Sequence, residues 1–327
     1  MLTIAIPTYN RNEKLLQQLE RLLVQAEVAH VELLVVDNCS PEAVEPFLAK
    51  SLSEKAVRVR IVRNAGNIGV GGNILRCIEE ARGTWVWLLG DDDPVLGDSI
   101  STALKATDNA DDHTFMIKTG CAKENYPFPK KVTTAGLPEI SEMCRNAWFF
   151  SNLLHISSTI LNREKALAYL NYGYHWNYSL APHLAMLFAA LRDNHQVLLY
   201  PQEQFKSGGY DRGSWSIWRQ QLGVPTLLEL DGCDQYMREW LISVFAQWMG
   251  RRWFFTVLAI VLRGGARSPD YWRSYCLRLA SVSSMWRSMY LVAIAIFLCP
   301  LIRVPFVRKL VSRLFGQRRD PSLAERS

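Results

Sequence analysis

Three carboxylates, Asp91, Asp92 and Asp93, stand together in the stretch TWVWLLGDDDP (84–94), delivered into a turn by the apolar run from Trp85 to Leu89. Like charges this close raise one another's pKa unless donors or a cation neutralise them. A hard divalent ion with an oxygen shell, Mg²⁺ or Mn²⁺, suits such a cluster. The alternative for the same residues is a solvated turn whose acids cap a helix starting near Asp98 and Ser99. Further polar groups recur at the ends of other apolar runs: Pro7-Thr8-Tyr9-Asn10-Arg11, Asp37-Asn38-Cys39-Ser40 and Arg63-Asn64.

What must position these turns is an α/β layer with a mostly parallel sheet, because apolar runs alternate with amphipathic stretches through residue 110. The pattern predicts strands at 2–6, 32–36, 58–62 and 84–89. Leu15, Leu16, Leu19, Leu22 and Leu23 recur at helical spacing, with Asn12 as the expected cap, and further helices are expected at 42–50 and 73–81. In a sheet of this kind ligands sit at the carboxyl ends of the strands. Each turn alone is ordinary turn chemistry, but four polar turns on one edge suit a nucleotide and its metal. The run Gly69-Val70-Gly71-Gly72-Asn73 is not a dinucleotide fingerprint. Ile74 stands where the third glycine would be, and the run follows the third strand, which excludes a nicotinamide enzyme.

Taken together, IAIPTYNR (4–11), VVDNCS (35–40), RNAGNIGVGGN (63–73) and WLLGDDDP (87–94) resemble the family-2 glycosyltransferases of GT-A fold, in order and spacing. The similarity continues through ISSTILNREKALAYL (156–170), which is similar to bacterial enzymes that add sugars to lipid-linked O-antigen or capsule units, the abequosyltransferase-like group included. The resemblance implies a nucleotide-sugar-binding mixed sheet and a Mg²⁺ or Mn²⁺ cofactor. It implies that Pro7, Thr8, Tyr9 and Arg11 line the nucleotide pocket, that Asp37 hydrogen-bonds the base, and that Asn64, Gly66 and Asn67 pack against the nucleotide. The commoner family form is L-D-x-D-D, whereas this chain has Gly90 where the first acid would be. One alignment makes Asp92 the main metal contact and a catalytic residue, with Asp91 near the ribose and Asp93 beside the metal; the other is a direct Asp91-x-Asp93 frame. The family's acceptor-activating E-D pair is replaced by Leu180-Ala181-Pro182-His183-Leu184, so His183 is a candidate base or metal-side ligand, or a histidine packed in its helix. Asp193 and His175 are weaker candidates. A loop at 208–215, with paired glycines, Arg212 and Trp215, is suited to closing over the diphosphate.

A chain of 327 residues with 49% hydrophobic content buries one large core, or one domain and an appendage. The expected division is a glycosyltransferase domain at 1–230, with its nucleotide-sugar half at 1–110 and its acceptor half at 111–230, followed by a basic helical region at 231–327. Residues 251–327 hold fourteen Lys and Arg against three acids, so the remainder is net acidic although the whole chain is +6. Two apolar stretches there, 253–262 and 290–302, are too short to span a bilayer. With flanking arginines and tryptophans they read as interfacial helices on an anionic membrane. The competing reading is a helical cap or a homo-oligomer interface. Nucleic acid is a poor partner, since no recognition motif accompanies the charge. Seven cysteines without metal or disulfide spacing suggest a reducing compartment. With Leu2 to Ile6 reading as a core strand and not a signal peptide, the expected location is cytoplasmic, peripheral on the inner face of the membrane. Two functions are then in play: a metal-dependent transferase moving a sugar from a nucleotide-sugar donor to a lipid-linked saccharide acceptor in surface polysaccharide synthesis, and a catalytically inactive nucleotide-sugar-binding or scaffold protein.

Overall fold

The structure is a computed structural model that describes residues 1–206, apart from 26–27, 29, 53–57, 121–127 and 145, and beyond them 276–277, 289–290 and 292–298. The chain divides into two compact units, Met1–Gly209 and Tyr210–Ser327. The expected boundary at 230 lies outside the described residues.

In the first unit strands and helices alternate as β1 (Leu2–Thr8), α1 (Asn12–Leu23), β2 (Val31–Asp37), α2 (Val44–Leu52), β3 (Val59–Arg63), α3 (Gly69–Glu80), β4 (Trp85–Leu88) and α4 (Ser99–Asp108). The pattern then turns irregular, with β5 (Thr114–Gly120), β6 (Thr133–Ala135), α5 (Leu137–Cys144), α6 (Ala147–Leu154), β7 (Thr159–Asn162), α7 (Arg163–Ala168), α8 (Leu170–His175), α9 (Pro182–Arg192) and β8 (Gln196–Glu203). All eight strands form one sheet in the order β3-β2-β1-β4-β7-β5-β8-β6. The strands β1 to β4 run parallel, while β7 enters antiparallel between β4 and β5, and β6 lies antiparallel to β8. This is the mixed α/β sheet expected of the GT-A fold.

One apolar face of the sheet is covered by α1. Ile4, Ile6, Leu33, Val35, Trp87 and Leu89 pack with Leu15, Leu19 and Leu22 of α1 in one apolar cluster, so β2, β1 and β4 lie side by side between β3 and β7. Removing such residues from water supplies roughly 1.5–3 kcal/mol per large side chain. Trp87 is fully buried and its indole N–H donates to the Ser157 carbonyl at 2.8 Å, which ties β4 to the short helical turn Ile156–Ser158.

Two expected details change. Asn12 does not cap α1. It is the first helical residue, follows Arg11 at the cap position, and turns its side-chain amide to the Glu42 carbonyl and carboxylate. The third helix starts at Gly69, four residues before the expected Asn73, because Gly69 takes a left-handed φ of +80° and Gly71 leaves room for the chain at Asn177.

Candidate active site at the carboxyl edge of the sheet

Strand register brings the polar turns together. Thr8 pairs with Asp37, and Asp37 with Arg63, so three charged or hydroxylated residues lie side by side where β1, β2 and β3 end. On the other side of β1, the Leu89 N–H donates to the Ala5 carbonyl at 3.0 Å, which lays the Gly90–Asp93 turn beside Pro7 and Thr8.

The three aspartates have three different environments. Asp91 is 5% exposed, with Thr8 Oγ1 donating to Oδ2 at 2.8 Å and Arg11 Nη1 donating to Oδ1 at 2.7 Å. Burial pushes its carboxyl up, Arg11 and Thr8 pull it down, and Asp92 pushes it up again; the balance stays above the ordinary carboxylate range. Arg11 therefore compensates the cluster incompletely. Asp92 is the outward member, with 27% of its side chain exposed and Oδ2 held by the same Arg11 Nη1 at 2.9 Å. Asp93 turns back toward the sheet, where its Oδ2 accepts from Ser157 Oγ and lies 3.8 Å from His155 Nδ1.

Gly90 is part of this geometry. A Cβ at that position would stand 2.9 Å from Asp93 Oδ2 and 3.2 Å from Ser157 Oγ, while the Gly90 N–H donates to Ser157 Oγ at 2.9 Å. The turn is closed from below by Gln18 of α1, whose amide donates to the carbonyls of Gly90 and Asp93. Glycine thus stands at 90 because Asp93 folds into the space a side chain would need.

The second polar turn is held by an asparagine network. Asn38 Nδ2 donates to Asn67 Oδ1 at 2.9 Å, and Asn38 Oδ1 accepts from Asn64 Nδ2 and from the Ile68 N–H. Asn64 also donates to Asn73 Oδ1, and Asn73 Nδ2 reaches the Val36 carbonyl at 2.9 Å. Asn38, Asn64 and Asn73 are buried and Asn67 is exposed; each buried amide left without its partner would cost about 1–3 kcal/mol, so these three fix the loop between β3 and α3. Asn64 shapes the rim from within, and Asn67 accepts from Asn38 at its exposed side. Asp37 is likewise enclosed: its side chain is 1% exposed and accepts from Arg63 Nη1 and the Ser40 N–H. The exposed group at this corner is the Arg63 side chain, 40% accessible, whose Nη2 donates to the Ser40 carbonyl at 2.8 Å. Tyr9, at 39%, is the exposed aromatic of the rim.

His183 lies elsewhere in character. It is fully buried in α9 with Nε2 at 3.1 Å from the Leu153 carbonyl. Burial first, and then the positive charge of Lys118, lower its pKa to about 3. An enclosed imidazole this weakly basic is poorly matched to taking a proton from an acceptor hydroxyl, and the packing role is the one the geometry supports. Asp193 pairs with Arg192 and accepts from Tyr169 Oη at 3.0 Å, and His175 packs on Trp176. Arg212 and the 208–215 loop lie outside the described residues.

Sequence reasoning missed Gln18, Ser157, His155 and Lys118. Lys118 is fully buried on β5, with Nζ bonded to the His155 carbonyl at 2.9 Å and Thr159 Oγ1 at 2.8 Å, and so anchors the turn that carries His155 and Ser157. Residues 156–170 signalled the importance of this segment, but only the tertiary structure brings it to Asp93.

A family model described as glycosyl transferase family 2 matches residues 3–170, just over half of the chain and all of the rim described above. The chain belongs to glycosyl transferase family 2. Among curated relatives, a succinoglycan biosynthesis protein, ExoO, of Rhizobium meliloti is 33% identical over 108 residues, covering 33% of this chain and 30% of that protein. The abequosyltransferase RfbV of Salmonella typhimurium is 26% identical over 165 residues, covering 50% of this chain and 46% of that protein. The family-2 chain therefore matches less than half the length of either. Among solved structures, S. aureus TarS in complex with UDP-GlcNAc superposes with a TM-score of 0.58 at 13% identity, over 97% of this chain and 93% of that one. The mannosyltransferase PcManGT of Pyrobaculum calidifontis, in complex with GDP-Man and Mn²⁺, gives 0.54 at 14% identity, over 96% and 84%. At these identities the likeness concerns the fold, which is that of GT-A enzymes.

Among the described residues no three His, Cys, Asp or Glu side chains assemble into a metal cage. The donor set nevertheless fits Mg²⁺ or Mn²⁺. Such ions need only one or two carboxylates, taking the rest of their shell from water and substrate phosphates. Asp92 offers the accessible carboxylate, and Arg11 is already a stand-in cation upon it.

Proposed function

We propose that the protein transfers a sugar from a nucleotide-sugar donor to a saccharide acceptor, lipid-linked, in the synthesis of a bacterial surface polysaccharide. The observation that carries this reading is the interlocked rim: Thr8, Arg11, Asp91 and Asp92 joined at one edge of the parallel strands, with Asp37 and Arg63 beside them. The family assignment and the names of the Salmonella and Rhizobium relatives support it.

The chemistry requires that a nucleoside diphosphate leave an anomeric carbon on which positive charge builds. Arg11 and Arg63 are placed to meet negative charge at the rim, and preorganised donors of this kind stabilise a leaving anion without reorganising. Asp92 would hold Mg²⁺ or Mn²⁺, which when bound supplies Lewis-acid charge to the departing diphosphate, while Asp93, next to it in the turn, is engaged by Ser157. Asp91, locked by Thr8 and Arg11, keeps the turn in place. Tyr9 offers its ring, and Asp37 holds Arg63 and the Ser40 turn in the shape that receives the nucleoside.

The enclosure of His183 supports a second reading, a nucleotide-sugar-binding protein that does not turn over, because no acceptor base is assigned among the described residues. One screen separates the two. Purified protein is heated with UDP-, GDP-, CDP- and dTDP-sugars and Mn²⁺, and nucleoside diphosphate release is then measured with the donor that raises the melting temperature. Release above the rate of spontaneous hydrolysis is expected when acceptor saccharide is added. A donor that stabilises the protein yet is never consumed supports the binding protein, and the absence of any stabilising donor overturns both.

A further inference from the structure

Arg11 does something at this rim that neither family membership nor the position of the residue explains. A single nitrogen, Nη1, serves both Asp91 Oδ1 at 2.7 Å and Asp92 Oδ2 at 2.9 Å. The other terminal nitrogen, Nη2, is enclosed and makes no hydrogen bond among the described residues. A guanidinium is a rigid fork of five donors suited to two-point contact with carboxylate or phosphate. Here one prong carries two carboxylates and the other is unused. Its hold on Asp92 is also the less secluded of the two, since 27% of that side chain is exposed against 5% for Asp91.

We propose that Arg11 is a displaceable internal counter-ion, which shields Asp92 from free divalent cations and releases it when a nucleoside diphosphate gives the guanidinium a phosphate to bind. The inference rests on the reading that Asp92 holds the cation. A divalent ion arriving alone at Asp92 meets a guanidinium bonded to the same carboxylate, and like charges repel at that separation. A diphosphate brings the missing negative charge and, once the guanidinium swings out of the position that encloses Nη2, an acceptor that matches both prongs of the fork. Cation and nucleotide then bind cooperatively, and by linkage each strengthens the other by the same factor. Asp91 stays bonded to Thr8 throughout, so the turn itself need not move.

The test reads Mn²⁺ binding and not turnover. Free Mn²⁺ is titrated by electron paramagnetic resonance against the wild-type protein and against Arg11→Gln, first alone and then with UDP or GDP, whichever raises the melting temperature. The wild type is expected to bind Mn²⁺ weakly alone and at least about tenfold more tightly with the nucleotide, within the usual span of coupling between sites. Arg11→Gln is expected to bind Mn²⁺ alone about tenfold more tightly than the wild type and to lose most of the enhancement by nucleotide. Arg11→Lys keeps the charge without the fork, so it should bind Mn²⁺ alone as weakly as the wild type while losing coupling; it carries the test if Arg11→Gln does not fold. Equal Mn²⁺ affinity in wild type and Arg11→Gln, with nucleotide still enhancing both, overturns the counter-ion and leaves the cation site standing. Failure of every protein to bind Mn²⁺, with or without nucleotide, overturns the cation site and the counter-ion together.

Discussion

Three adjacent aspartates with different surroundings should respond differently to the same substitution. Asp92 is the exposed member, so Asp92→Ala should leave the melting temperature nearly unchanged and reduce transfer more than tenfold, over about 1.4 kcal/mol of barrier. Retention of more than a tenth of the wild-type rate would reassign the metal contact. Asp91→Ala should instead destabilise the fold by about 1–3 kcal/mol, because it leaves the buried Thr8 hydroxyl without its acceptor and Arg11 with Asp92 alone. A denaturant melt that separates the two variants by less than 1 kcal/mol, roughly the worth of an exposed ion pair, would place both carboxylates in equivalent environments. The types and positions of these residues are readable along the chain, since the strand ends announce them. Their couplings are not. Thr8 meets Asp91 across 83 positions and Ser157 meets Asp93 across 64, and nothing local marks either pair. His183 shows the same limit from the other side: a proline before a histidine at a helix start says nothing of what will enclose it.

The elements carry their own consequences, because α3 and α9 set the rim from behind. The N-terminus of α3 needs glycine at 71, where a Cβ would stand 2.0 Å from Asn177 Oδ1 and 2.9 Å from the Asn177 carbonyl oxygen. The second clash involves backbone, so Gly71→Ala cannot be relieved by a rotamer change alone. It should cost on the order of 1–3 kcal/mol, the usual range for overpacking, and should weaken donor binding with it. A melting curve superposable on the wild type would show that the helix start is free to shift. On α9, His183 has a pKa of about 3 in the folded state, whereas an unfolded histidine titrates near about 6.5. Between those values the unfolded chain binds the proton that the folded protein refuses, so this residue makes stability fall as pH drops below about 6.5. His183→Gln should flatten the fall in melting temperature over that window, whatever it does to stability at neutral pH. An unchanged slope would mean that other groups govern the acid limb. The helical and strand ranges were legible to within a residue or two in the first half, where alternation is regular. The start of α3 was less so, because it depends on a left-handed glycine and a distant asparagine and not on apolar spacing.

At the scale of the whole molecule, charge is divided unevenly along the chain. The arginines and lysine of residues 251–327 belong to the second unit, and in its described helical turn Ile294–Leu298 the side chains of Ile296 and Phe297 are 50% and 69% exposed. The segment 253–262 and the greater part of that unit lie outside the described residues. Among the described residues no helix is long and apolar enough to cross a membrane. Exposed apolar side chains in a sequence this rich in arginine favour shallow attachment to an anionic surface, where each basic residue contributes about 1 kcal/mol until salt screens it. The full chain should therefore bind phosphatidylserine-containing vesicles. Replacing Arg303, Arg308, Lys309 and Arg313 by glutamine should weaken that binding by roughly 4 kcal/mol at low ionic strength and far less at high salt. Phe297→Ser should weaken it equally at both, since burial of an aromatic ring is not screened. Donor binding should be unchanged in every variant, because the residues of the rim described here precede Met1–Gly209's end. Vesicle binding that ignores all five substitutions would assign this surface to a second copy of the chain or to a protein partner, and sedimentation at increasing protein concentration would then tell those two apart.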